Sequence, residues 1–254
     1  MIAPTWEGRV TGQLVAAVLF GIYSLYYLFK LSEYKISPDK KSITTLVRFG
    51  LPLVPHELGA FVIAYSDRLF IMNMIGAEAT GLYSVGYQIG MVIGLLQNSF
   101  NQAWVPWFFE MLTHGRYREK LNIVRITYIY YLAILILVLG VMIILPFVFV
   151  FLGNDFASAS EFVLWISLGF AFNGMYKMVV NYLFYTKNTY IVGAITTLTA
   201  ILNLVLNYFF ISKYGAIGSA YATALAFFVQ FILTWIISIR LYNMPWLLKS
   251  KEIA

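Results

Sequence analysis

Cysteine is absent from the 254 residues, which excludes disulfides, thiol catalysis and Cys-ligated metals. His56 and His114 are the only imidazoles, so metal chemistry is not expected and no cofactor is implied. Charge is scarce: 11% of residues are Asp, Glu, Lys or Arg, against about 25% in a soluble domain. Between Arg125 and Asp155 there is none at all. Hydrophobic residues make up 61%, and the mean hydropathy is +0.79. The uncharged stretch exceeds the ~20 residues that carry a helix across ~30 Å of hydrocarbon. The chain therefore reads as an all-α polytopic membrane protein. Its opening, "MIAPTWEGRV", carries Glu7 and does not read as a cleavable signal peptide.

A membrane-length window predicts spans near 10–29, 49–74, 81–110, 126–152, 160–185, 189–211 and 216–239, about seven transmembrane helices. Basic residues alternate between the connections. The first has Lys30, Lys35, Lys40, Lys41 and Arg48, and the third has Arg116, Arg118, Lys120 and Arg125, whereas the second and fourth have none. Lys187, Lys213 and the tail residues Arg240, Lys249 and Lys251 complete the set. Lys and Arg concentrate on the cytoplasmic side, so the N-terminus is expected outside and the C-terminus inside. The net charge of +6 then belongs to loops facing anionic lipid, and no nucleic acid is needed to explain it.

Residues 31–47 form the one substantial polar linker, interrupted by Pro38, and separate the first span from six others in 48–240; residues 241–254 are a tail. An internal echo aligns residues 6–23 with 216–233, setting Gly8 opposite Gly218 and Gln13 opposite Thr223. On that pattern residues 1–30 hold the last helix of one repeat and 48–240 a second, six-helix repeat.

"RFGLPLVPHELGAFVIAYSDRLFI" (48–71), "GLYSVGYQIGMVIGLLQNSFNQAWVPWFFE" (81–110) and "NLVLNYFFISKYGAIGSAYATALA" (203–226) resemble the C-terminal half of bacterial polysaccharide flippases. These belong to the multidrug/oligosaccharidyl-lipid/polysaccharide exporter superfamily. The resemblance implies two six-helix lobes around a central cavity in the inner membrane. It also implies an isoprenoid-pyrophosphate-linked oligosaccharide (O-antigen type) as cargo, membrane lipids and a polysaccharide polymerase as partners, and transport rather than an enzyme reaction. A coupling ion, proton or sodium, is left open. The chain carries one helix of the first lobe, so a partial transporter is expected.

Within the spans, ionisable residues mark function, because each costs about 2.5–3.5 kcal/mol at the centre of a membrane helix even on a lenient scale. Asp67 and Arg68 are adjacent, and neighbours on a helix point about 100° apart, so each needs its own partner. Arg68 suits phosphate oxygens; Asp67 either bonds a neighbouring helix or takes up a coupling cation. Lys177, with Asn173 and Asn181 four residues to either side, forms a polar stripe expected to line the substrate path. Asn98, Asn101 and Gln102, beyond the glycine row Gly86, Gly90 and Gly94, are expected to face the same cavity. His56 and Glu57 are placed at its cytoplasmic mouth. The strip Gly193, Thr196, Ala200, Asn203 and Asn207 is expected to pack against other helices. Pro52, Pro55 and Pro106 are candidate bends, and Trp104, Trp107 and Trp246 are expected at the membrane interface.

Two alternatives come from other directions. A small-molecule, cation-coupled exporter of the same superfamily shares all these features. A seven-helix receptor matches the helix count and topology, although the retinal type would place a lysine in the last span, which has none. A membrane transferase would need a clustered acidic or His constellation, and the sequence offers none.

Overall fold

The computed structural model describes residues 6–31, 39–51 and 53–248. Lys35, Pro38, Pro52, Lys249 and Lys251 lie outside the described residues. The described chain is helical: α1 (Trp6–Leu31), α2 (Lys40–Gly50), α3 (Leu53–Met74), α4 (Ala77–His114), α5 (Tyr117–Leu152), α6 (Ser160–Tyr185), α7 (Thr189–Tyr214) and α8 (Ile217–Leu241), with a 3-10 turn at Asn154–Ala159. Among these residues, seven helical stretches are long and apolar enough to cross a membrane.

The helices overrun the spans read from hydropathy, because hydropathy locates the hydrocarbon and not the end of the hydrogen-bonded ladder. α4 has 38 residues, about 57 Å at ~1.5 Å per residue. It continues four residues beyond the expected 110 to His114, where Gly115 at φ 69° ends it in the left-handed conformation that glycine adopts without strain. The expected span 49–74 is interrupted at Gly50–Leu51, and α3 begins at Leu53. The linker itself contains α2, whose first turn is capped by Asp39: its carboxylate accepts from the Lys41 and Ser42 amides at 3.3 Å each.

The chain divides into two compact units, Met1–Leu46 and Val47–Ala254. The first contains α1, whose Val10–Lys30 segment has the length and hydropathy of a span. In the second, α6 is central and packs on α4, α5 and α8, while α7 packs on α3 and α8. Three buried clusters fill the gaps, around Val179, Phe108 and Tyr83.

Small residues permit this closeness. A Cβ at Gly90 would lie 2.7 Å from Ile166 Cγ2, and one at Gly86 2.7 Å from the Ala159 carbonyl, so the glycine row is the seam between α4 and α6. Gly218 lies against the Phe210 carbonyl where α8 leaves the α7 turn, with no room for a Cβ. Gly193, Thr196, Ala200, Asn203 and Asn207 are all buried, as the packing reading expected. Trp104 departs from expectation: it is 4% exposed, because the aromatic cluster of Trp107 and Phe108 encloses it away from the interface. Pro55 lies in the first turn of α3, where its missing N–H removes no intrahelical bond, so it does not force a bend there. Pro106 is inside α4.

Candidate functional site

Asp67 and Arg68 leave α3 in different directions. The salt bridges among the described residues are at the α4–α5 turn, between Glu119 and His114 or Arg116, and neither residue of the adjacent pair takes part.

Asp67 turns into the six-helix unit and is 0% exposed. Its Oδ2 accepts from the Tyr83 hydroxyl at 2.5 Å and the Thr223 hydroxyl at 2.9 Å, and its Oδ1 from Asn207 Nδ2 at 2.9 Å. The shell is itself bonded: Asn207 Nδ2 also donates to Asn203 Oδ1 at 3.1 Å, Asn203 Nδ2 to Thr223 Oγ1 at 3.1 Å, Ser219 Oγ to Asn207 Oδ1 at 2.6 Å and Ser66 Oγ to Asn203 Oδ1 at 3.2 Å. Two i,i+4 pairs build it, Asn203 with Asn207 on α7 and Ser219 with Thr223 on α8, each presenting one helix face. The arrangement collects a carboxylate, two amides and several hydroxyls from four helices. Every hydrogen-bond partner of the carboxylate is neutral. Desolvation of an isolated carboxylate is very costly, and the cation that acts on this one is its neighbour Arg68.

Arg68 instead lies over the next turn of α4. Its guanidinium stacks over Tyr87, 4.3 Å from the ring centroid, and donates to the Ala64 carbonyl at 3.2 Å. That bond uses one of its several N–H donors. The cation is half-buried and held against the ring.

Lys177 on α6 also reaches α4, where Nζ donates to Asn98 Oδ1. It lines a cavity of about 430 Å³ with His56, Asn101 and Asn181, walled by Phe49, Phe109, Tyr176 and Phe184. His56 Nδ1 lies 2.7 Å from Thr196 Oγ1 across α7. Tyr87 and Asn98 are eleven residues apart on α4, close to three full turns, so they share one face about 16 Å apart along the helix at ~1.5 Å per residue. Arg68 and Lys177 therefore meet the same face of α4 at different depths.

Of the residues anticipated from the sequence, Lys177, Asn101, Asn181 and His56 line this cavity, and Asn98 accepts from Lys177 without being among the lining residues. Asn173 instead accepts from Gln97 Nε2 at 3.0 Å, within the α4–α6 seam. Gln102 and Glu57 are exposed and are not among the residues lining the cavity. Tyr83, Tyr87, Ser66 and Ser219 were not anticipated. The signal for the tyrosines was present, since each is one end of a four-residue step on α4, but tyrosine in a membrane span reads as an interface marker until its partner helix is known.

Residues 5–112 match a family of proteins described as "Polysaccharide biosynthesis protein". The chain is 26% identical over 204 residues to "Lsg locus putative protein 1" of Haemophilus influenzae, covering 77% of this chain and 50% of that one. It is 22% identical over 220 residues to the "Putative O-antigen transporter" of Shigella flexneri, covering 85% and 52%. The chain thus spans about half the length of the curated relatives it matches. A solved structure of the Vibrio cholerae MATE transporter VcmN in its bent form shares the fold, with a TM-score of 0.67 and 20% identity over 82% of this chain and 48% of that one.

Proposed function

We propose, for a chain whose family match, transporter relative and shared fold support a polysaccharide flippase of the multidrug/oligosaccharidyl-lipid/polysaccharide exporter superfamily, that residues 48–240 form one lobe of a two-lobe transporter. It moves an isoprenoid-pyrophosphate-linked oligosaccharide across the bacterial inner membrane, and its work is transport and not covalent chemistry. The observation that carries this reading is the placement of two cations, Arg68 and Lys177, against one face of α4 through Tyr87 and Asn98. An anionic headgroup travelling along that face passes from one to the other. Arg68 supplies the planar fork that pairs with phosphate oxygens.

The basic connections support a cytoplasmic position for the Lys177 cavity and an outer one for Asp67 and Arg68, with the tail inside. Asp67 takes up the coupling cation, a proton or sodium. Its oxygen-rich shell, in which every hydrogen-bond partner is neutral, supports that role. The reading leaves a small-molecule exporter of the same superfamily as the competitor, favoured if the cations are dispensable. A polymerase acting on the delivered cargo is the expected partner of such a transporter.

Complementation tests the proposal. In a strain lacking its lipid-linked oligosaccharide flippase, the chain produced together with the five further helices of an N-terminal lobe restores surface polysaccharide, and the chain alone inserts without restoring it. Restoration by the chain alone would contradict the two-lobe reading unless crosslinking shows that two copies make up the transporter. Failure of the complete pair, with both parts present in the membrane, would contradict the cargo.

A further inference from the structure

The cavity beside Lys177 has features that a pyrophosphate does not use. Four aromatic residues, Phe49, Phe109, Tyr176 and Phe184, line it, and with them stand the Asn101 and Asn181 amides, the Lys177 amine and the His56 imidazole, with no acidic side chain among the lining residues. Asn101 Oδ1, on the cavity-lining Asn101, is shut off from solvent and accepts no hydrogen bond within the protein. A buried acceptor of this kind calls for a donor. An ionised phosphate offers only acceptor oxygens, whereas a sugar hydroxyl donates and accepts. Asn181 and Lys177 supply the complementary donors, since the Asn181 Nδ2 bond to the Lys177 carbonyl and the Lys177 bond to Asn98 each leave further N–H groups. The size, about 430 Å³, lies within the ~300–1,000 Å³ of small-molecule sites.

We propose that this cavity is a subsite for one hydroxylated sugar ring of the cargo, seated with its C–H face on the aromatic walls and a hydroxyl donated to Asn101 Oδ1. The inference rests on the flippase reading and assigns a part of the cargo to each end of the α4 face. The phosphates belong to Arg68, and a ring of the glycan belongs to the Lys177 end about 16 Å away by the helical rise.

Saturation-transfer NMR on the purified full chain, with methyl β-glucoside as the probe and inorganic pyrophosphate as the competitor, tests it. Saturation is expected on the sugar's ring C–H protons, undiminished by pyrophosphate. Asn101→Leu and Phe184→Leu should each weaken binding about tenfold, near the size of one lost hydrogen bond or ring contact, and Arg68→Gln should leave it unchanged. Absence of transfer to the wild-type chain, transfer unaltered in both variants, or displacement by pyrophosphate would each overturn the subsite. The outcome is separable from that of the parent reading, because a failed sugar test with complementation and Arg68 dependence intact removes the subsite alone, and failed complementation removes the cargo.

Discussion

The network around Asp67 and the cavity beside Lys177 use the same kinds of side chain to opposite ends. In the first, amides and hydroxyls from α3, α4, α7 and α8 bond to one another around a carboxylate with no exposure at all. In the second, a half-buried amine bonded to Asn98 opens onto a cavity that Asn101 and Asn181 also line. A polar residue inside a membrane helix is thus not by itself a sign of cargo. What separates the two cases is whether its bonding capacity is spent on the protein. Asp67 and Arg68 show this within a single peptide bond, because the 100° turn between neighbours sends Asp67 into the closed set with Tyr83 and leaves Arg68 over Tyr87, one turn further along α4.

The contrast can be broken most violently from within the closed region. Gly218→Ala drives a methyl group into the Phe210 carbonyl, and because backbone cannot swing aside as a side chain can, membrane abundance of the protein should collapse. Asp67→Leu should do nearly as much: it strands the Tyr83, Asn207 and Thr223 donors, each buried unpaired group costing about 1–3 kcal/mol. Quantitative immunoblotting of membranes reads both. On the open side, Arg68→Gln in the complete transporter should leave abundance near normal and reduce export. Loss of one charge-assisted bond of ~1.5–3 kcal/mol corresponds to about ten- to a hundredfold in affinity. Arg68→Lys should recover part of it, keeping the charge without the fork, and Lys177→Gln should reduce export with abundance likewise retained. Wild-type export from Arg68→Gln and Lys177→Gln together would make both residues packing charges. The mildest perturbation touches neither region. On this Cys-free background, single cysteines at the exposed positions Ser42 and Arg118 should be shielded from an impermeant thiol reagent in intact cells, and one at Ser158 labelled, with transport unchanged. Reversed labelling would invert the ends assigned to the two regions.

Most of the helical frame was legible in the sequence, because hydrocarbon length and lack of charge dominate everything else in a membrane chain. The limits were at the ends, where α4 runs to His114 and α2 forms inside a stretch that reads as polar linker. Hydropathy locates apolar stretches and has no signal for where the hydrogen-bonded ladder of a helix begins or ends. The candidate cations were also legible, since Arg68 and Lys177 are conspicuous in apolar surroundings. Their partners were not. Tyr87 under Arg68 and Tyr83 on Asp67 depend on which face of α4 meets α3, a fact of tertiary packing. Asn173 illustrates the same limit: four residues from Lys177, it has the spacing of a cavity residue, yet α4 lies close enough for Gln97 to claim it.

The central claim is that adjacent residues hold separate jobs, Asp67 for a coupling cation and Arg68 for cargo. The thermal melting of the purified chain, followed against sodium concentration and against pH for wild type, Asp67→Asn and Arg68→Gln, tests it most directly. A cation bound only by the folded state stabilises it by about 2.7 kcal/mol at a hundred times its dissociation constant. The wild-type midpoint should therefore shift with one of the two ions, Arg68→Gln should shift equally, and Asp67→Asn should fold but respond to neither. An undiminished ion response in Asp67→Asn, or its loss in Arg68→Gln, would contradict the division of roles.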